Sequence, residues 1–131
     1  MASPRRVKAL KGTAIWLPTV LLGLLFVMQG LMKLSGMPVW IERFRDYGYP
    51  DNFVFVVGAT ELLGGILLFV PRVARFGAAM LAVVMIGAGV THLLHAEVGN
   101  GIFTLILAAV FGAIARVRTP KGGFLRLARP T

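Results

Sequence analysis

The sequence predicts an all-α membrane protein: a polytopic four-helix bundle with both termini cytoplasmic and a short amphipathic interfacial helix between spans one and two. Three observations point there. Apolar residues make up 57% of the chain and charged residues 15%, against about 25% charged in ordinary soluble domains. Mean hydropathy is +0.82, and 131 residues accommodate four spans of about 20 residues with short joints. Finally, eleven of the fourteen Lys and Arg residues fall in three short segments bordering apolar runs, a distribution that belongs to a membrane surface. A water-soluble, disordered or fibrous chain is excluded. With no Cys, so are a disulfide framework, a thiolate zinc site, an iron–sulfur cluster and thiol-relay chemistry by this chain.

Residues 1–12 read as a basic cytoplasmic leader and residues 13–34 as the first span. Trp16 sits at headgroup level and Pro18 in the first helical turn, where its missing N–H costs no hydrogen bond. The run is long and no A-x-A-like site follows it, so it reads as an uncleaved signal anchor. In residues 35–52, Val39, Trp40, Phe44 and Tyr47 alternate with Glu42, Arg43, Arg45 and Asp46. That pattern is a short amphipathic helix on the interface, ended by the Gly48-Tyr49-Pro50 turn. The second span, 53–70, is opened by Asp51 or Asn52 as a cap and closed by Pro71. Spans three and four cover 74–95 and 98–115. The short joint before span three makes its neighbours antiparallel. The transmembrane domain is therefore 13–116, followed by a basic cytoplasmic tail, 117–131.

Charge sets the orientation. Arg5, Arg6, Lys8 and Lys11, then Arg72 and Arg75, then Arg116, Arg118, Lys121, Arg126 and Arg129 share one side if there are four spans. The other side sets Arg43 and Arg45 against Glu42, Asp46, Asp51 and Glu97, with His92 and His95. Both termini then face the cytoplasm of a bacterial-type cytoplasmic membrane. The basic termini suit anionic lipids at about 1 kcal/mol per cation. Nucleic acid is not an expected partner, because the tail offers one Phe for stacking and is tethered to the bilayer.

Helices in lipid associate through small residues. Gly58 and Gly65 share a side of span two with Glu61, and Gly64 lies on its flank. Gly77, Ala78, Ala82, Gly87 and Gly89 in span three, and Ala108 and Gly112 in span four, are further expected contacts.

Five polar side chains interrupt the spans: Gln29, Lys33, Glu61, His92 and, at the edge, His95. Glu61 lies roughly 12 Å along its helix, near the bilayer midplane. An ionised carboxylate there costs at least ~2.5 kcal/mol, so it is protonated, paired or facing a hydrated cavity. Lys33, four residues after Gln29, either snorkels outward or bends toward Glu61. Thr91 and His92 reach the same depth from span three. The expectation is an outward-opening pocket lined by Gln29, Lys33, Glu61, Thr91 and His92, floored by the span-two glycines and by Met28, Met32 or Met85. The competing reading is structural, with Glu61 hydrogen-bonded to Gln29 or His92 to fix helix register. No metal site is expected. His92-x-x-His95 with Glu97 offers ligands on one helix end, and no second helix supplies another His. Nucleotide-binding and serine-hydrolase motifs are absent.

The stretch Leu22 to Leu34 with its G-x-x-K-L ending, Gly48-Tyr49-Pro50, the E-L-L-G-G of Glu61 to Gly65, and Thr91-His92 resemble the DoxX and DoxX-like membrane proteins. The resemblance covers nearly the whole chain between residues 14 and 115 and implies a four-helix membrane bundle. It also implies association with quinone-linked oxidoreduction or redox-stress complexes, without an agreed catalytic set; Lys33 and Glu61 match as motif positions. Three functions follow as expectations. The first is an accessory subunit of a membrane oxidoreductase system, with oxidoreductase subunits or further copies of itself in a homo-oligomer as partners. It binds a quinone-like molecule as a non-covalent cofactor, with Gln29, Lys33 and His92 bonding a carbonyl and Glu61 exchanging a proton. The second is an enzyme using Glu61 and His92 as acid and base on a sterol- or isoprenoid-like substrate. The third is a purely structural scaffold subunit.

Overall fold

The computed structural model describes residues 3–118; side chains of residues 6–13 lie outside that description. The expected basic tail beyond Arg118, with Lys121, Arg126 and Arg129, therefore lies outside the described residues, as do the side chains of Arg6, Lys8 and Lys11. The described chain is all-helical: α1 Pro4–Leu34, α2 Pro38–Asp46, α3 Phe53–Leu68, α4 Ala74–Leu94 and α5 Val98–Arg118. Three helices contain segments long and apolar enough to cross a membrane: Ala14–Leu34, Ala74–Leu94 and Val98–Arg118. The fourth apolar helix, α3, has 16 residues. At about 24 Å it is shorter than the ~30 Å hydrocarbon core.

Helix α1 starts about nine residues before the apolar run. Hydropathy marks where lipid begins, whereas Arg, Lys, Ala and Leu in the leader are good helix formers and Pro4 is suited to a first helical position. Pro18 thus stands in the helix interior rather than its first turn, where it leaves the carbonyl four residues earlier without its usual donor. Neither Asp51 nor Asn52 caps α3 with its side chain. Asp51 is held by Arg45 Nε at 3.1 Å, and the turn carbonyls of Pro50 and Asn52 accept from the N–H groups of Phe53 and Phe55. The second apolar helix ends at Leu68, and Phe69 and Val70 close it with turn hydrogen bonds before Pro71. Gly36 turns the chain out of α1 with φ +75°, a conformation open to glycine at little cost.

Consecutive long elements run antiparallel. Gly30 meets the backbone of Gly58 and Leu62, and Gly23 that of Gly65, so α1 and α3 approach backbone to backbone. Gly64 and Gly77 do the same for α3 and α4, while Gly89 and Gly101 admit Leu105 and Leu93 between α4 and α5. Gly87 and Gly112 have nothing within 4 Å of a hypothetical Cβ, so these two are not contacts. Helices α1 and α5 meet through the edge-to-face Phe26–Phe111 pair, ring centroids 5.1 Å apart, and through Arg118, stacked 4.5 Å from the Trp16 ring.

The interior has two layers. Phe26, Leu68, Leu81, Met85, Phe111 and Ile114 form a packed apolar layer toward the α1 start and the α3–α4 turn. The buried Lys33, Glu61 and Thr91 lie in the other half, beneath α2. The outer surface of the long helices is apolar, with Leu17, Leu24, Met28, Val83, Ile86 and Phe103 exposed. Together with the three spanning segments, this marks an integral membrane protein with lipid contact.

Candidate functional site

The polar layer borders a cavity of about 540 Å³ to which all five helices contribute, within the range of small-molecule sites. All five residues expected from the sequence line it: Gln29 and Lys33 from α1, Glu61 from α3, Thr91 and His92 from α4. Of the three methionines, Met85 lines the cavity; Met28 and Met32 are exposed at the outer face of α1. The α3 glycines do not form its floor, because Gly58 and Gly65 are taken up by α1 and Gly64 by Leu81. Phe26, Leu107 and Met85 lie at the apolar end and Tyr47, Tyr49, His92 and Asn100 at the polar end.

Two bonded groups organise the polar end. In the first, Lys33 Nζ donates to Glu61 Oε2 at 2.8 Å. Their side chains are 8% and 4% exposed, so the pair is an internal one. The close glycine seam between α1 and α3 makes it possible, since Lys33 Cβ lies against Gly58, one turn before Glu61. Glu61 is therefore bonded to Lys33 rather than to Gln29 or His92. Lys33 Nζ also sits 4.3 Å from the centroid of the Trp40 ring, a cation–π contact.

The second group ties α2 to the α4–α5 turn. His92 Nδ1–H donates to Glu97 Oε2 at 2.6 Å, and the Tyr47 hydroxyl donates to the same oxygen at 2.9 Å. Arg43 Nε donates to the Tyr47 oxygen at 3.2 Å. Tyr49 OH and Thr91 Oγ1 are also hydrogen-bonded. His95 Nδ1 bonds the Thr91 carbonyl at 2.8 Å, so His92 and His95 hydrogen-bond different groups, although both rings pack against Tyr47. No group of three His, Cys, Asp or Glu residues able to hold a metal ion occurs among the described residues.

Bonds from His92 and Tyr47 hold the Glu97 carboxyl below its ordinary range, while burial pushes the Tyr47 phenol up. A depressed carboxylate contributes stability above its unfolded pKa and loses it as pH falls through the folded value. The melting temperature in detergent is accordingly expected to decline once pH drops below about 4.3, the ordinary Glu value. Arg45 depresses Asp51 as well, so Glu97→Gln is the control that isolates Glu97: it should flatten part of that decline. An unchanged pH profile in this variant would rule out the bonding of Glu97 to His92 and Tyr47.

Trp40, Arg43, Tyr47 and Tyr49 were not among the site residues expected from the sequence, and the structure adds them to the wall. A usable signal existed, because Trp40, Phe44 and Tyr47 follow i, i+4, i+7 spacing along α2 and its end.

The model of the DoxX-like family matches residues 17–114. Over 89 residues the chain is 36% identical to a Bacillus subtilis protein named "Putative oxidoreductase CatD", covering 67% of this chain and 66% of that protein. A second B. subtilis relative, "Uncharacterized protein YdgD", is 35% identical over 76 residues, 56% of this chain and 66% of the relative. The match thus spans slightly less than two thirds of either relative's length. No solved structure matches the chain. With its model matched across most of the sequence, the chain belongs to the DoxX-like family.

Proposed function

We propose that this protein is a four-span bundle of a bacterial-type cytoplasmic membrane, both termini in the cytoplasm, that binds a quinone-like molecule as accessory to a membrane oxidoreductase system. The observation that carries the binding reading is the buried Lys33–Glu61 pair on the wall of a largely apolar cavity. A ring system with carbonyl oxygens fits such a space. Its body lies against Phe26, Val84 and Leu107, and its oxygens reach the polar end. Reducing a quinone consumes two protons with two electrons. Lys33 with Glu61, and Tyr47 with His92 and Glu97, are two proton-holding groups at that end. The electrons come from a partner, consistent with the word oxidoreductase in the relative's name.

The antiparallel order α1, α3, α4, α5 supports four spans, with the shorter α3 sheltered between α1 and α4. The termini reading is supported by Arg72, Arg75, Arg116 and Arg118 falling at one end, while at the other Arg43 and Arg45 are offset by Glu42, Asp46, Asp51 and Glu97. Glu61 and His92 line one cavity but bond different partners, which favours binding over acid–base catalysis by these two.

The test is mass spectrometry of lipophiles retained in mild detergent, followed by titration with a short-chain naphthoquinone. Retention of a quinone, and a change in affinity of about tenfold in Glu61→Gln, are expected for a charge-assisted bond. Protein that retains no quinone and binds the probe identically in both forms sinks the reading.

A further inference from the structure

The seam between α3 and α4 is tight at one end and open at the other. Near the turn that joins them, a Cβ on Gly77 would stand 2.6 Å from Gly64 O, so the backbones touch. Farther from the turn, Val56 and Thr60 of α3 and Val83 and Gly87 of α4 all line the cavity. Val56 and Val83 are nevertheless 57% and 70% exposed on the outer surface. Gly87 is exposed too, and nothing lies within 4 Å of a Cβ built there. These four residues therefore edge an opening from the cavity to the outside. Val83 and Gly87 fall in the middle of the spanning segment Ala74–Leu94, so the medium beyond the opening is hydrocarbon. The rims suit that medium. The Thr60 hydroxyl donates to the Val56 carbonyl oxygen at 2.8 Å within its own helix, and Val56, Val83 and Gly87 have no polar side-chain atom. On the opposite flank Leu25 and Phe103 also line the cavity and are exposed. The side chains there are larger, and the Phe26–Phe111 pair bridges α1 and α5 with ring centroids 5.1 Å apart.

We propose that the occupant is a lipophile built from a polar ring and a long hydrocarbon chain, and that the chain leaves the cavity between Thr60 and Gly87 into the bilayer. The proposal rests on the cavity-binding reading above and specifies the shape of the occupant. Glu61, next to Thr60 on α3, is buried and bonded to Lys33, so one turn of helix separates the ring's surroundings from the rim. A chain lying in the opening exchanges lipid neighbours for an equally apolar surface, so added length neither strengthens nor weakens binding.

The experiment compares two 1,4-naphthoquinones, one with a methyl group and one with a long alkyl chain, in phosphatidylcholine nanodiscs, with affinities referred to probe concentration in the bilayer. Wild-type protein should bind both with similar affinity, whereas a cavity walled off from lipid would reject the long chain. Gly87→Leu and Thr60→Phe narrow the opening from either rim. Each should weaken long-chain binding by about tenfold, the scale of a modest steric clash, and leave the methyl probe unaffected. Gly87→Leu should fold, because its Cβ meets open space and leucine is the better helix former. A second readout needs no substitution. A long-chain probe carrying a photoreactive diazirine midway along the chain should label wild-type protein at α3 and α4 beside Val56 or Val83. Long-chain binding that is rejected by wild type or unaffected in both variants, methyl-probe binding weakened as much as long-chain binding, or label on α1 and α5 instead overturns the chain's exit. Each of these leaves the cavity reading standing. Wild-type protein that binds neither probe overturns both.

Discussion

Lys33→Met protein is expected to unfold in detergent with about 3–5 kcal/mol less stability than wild type, because the change strands the Glu61 carboxylate inside the protein. Glu61 is 3% exposed and its bonded partner is the Lys33 ammonium at 2.8 Å. Removing the ammonium leaves a charge whose desolvation nothing offsets. The double variant Lys33→Met with Glu61→Leu should recover most of the loss, since buried ion pairs rarely outperform apolar pairs of similar volume. A double-mutant cycle from reversible unfolding measures the coupling. If Lys33→Met matches wild type, the two groups are not paired in the folded protein. The cycle also separates stability from use, because the double variant should fold yet bind the quinone probe poorly.

The second large effect is expected at Gly30→Ala. A Cβ there would stand 2.6 Å from Leu62 N, 2.7 Å from Gly58 O and 2.8 Å from Leu62 Cα, all backbone atoms of α3. Rotamer changes cannot relieve these contacts, so the helices must separate. A loss of about 1–3 kcal/mol or more is the usual scale of such overpacking. Lys33 lies about one turn beyond Gly30, and Glu61 falls between the contacted Gly58 and Leu62, so separation also stretches their bond, and the loss should fall toward the upper end. Gly112→Ala is the contrasting case. Nothing lies within 4 Å of its added Cβ, and alanine's better helix propensity should make the change neutral or stabilising by up to about 1 kcal/mol. Thermal unfolding of both variants checks the pair; equal Tm values would mean that α1 and α3 do not touch at Gly30.

The sequence made the helices and the Lys33–Glu61 layer legible for one physical reason. Lipid tolerates few charges, so each charge inside an apolar run stands out and its depth follows from the helical rise. Lys33 and Glu61 could be placed at compatible levels before any contact was known. Pro18 shows where such reasoning stops, because hydropathy reports the edge of the oil and not the start of the helix, which here lies well before it. Trp40, Tyr47 and Tyr49 were harder still. Aromatic residues beside a span have an ordinary role at the headgroup level, and only the return of the segment after α2 onto Thr91, His92 and Glu97 makes them part of the wall. The methionines show the same limit, since helical spacing alone did not distinguish Met85, turned inward, from Met28, turned out.

The packed stratum of Phe26, Leu81, Phe111 and Ile114 acts as a stopper. It floors the hollow at its apolar end, whereas Leu25, Val56, Val83 and Phe103 line the hollow and are also exposed on the outside of the helices, so the chamber opens sideways. A lipophilic guest therefore reaches the chamber from the acyl chains without passing that stratum, whereas moving cargo from one leaflet to the other would require uncorking it.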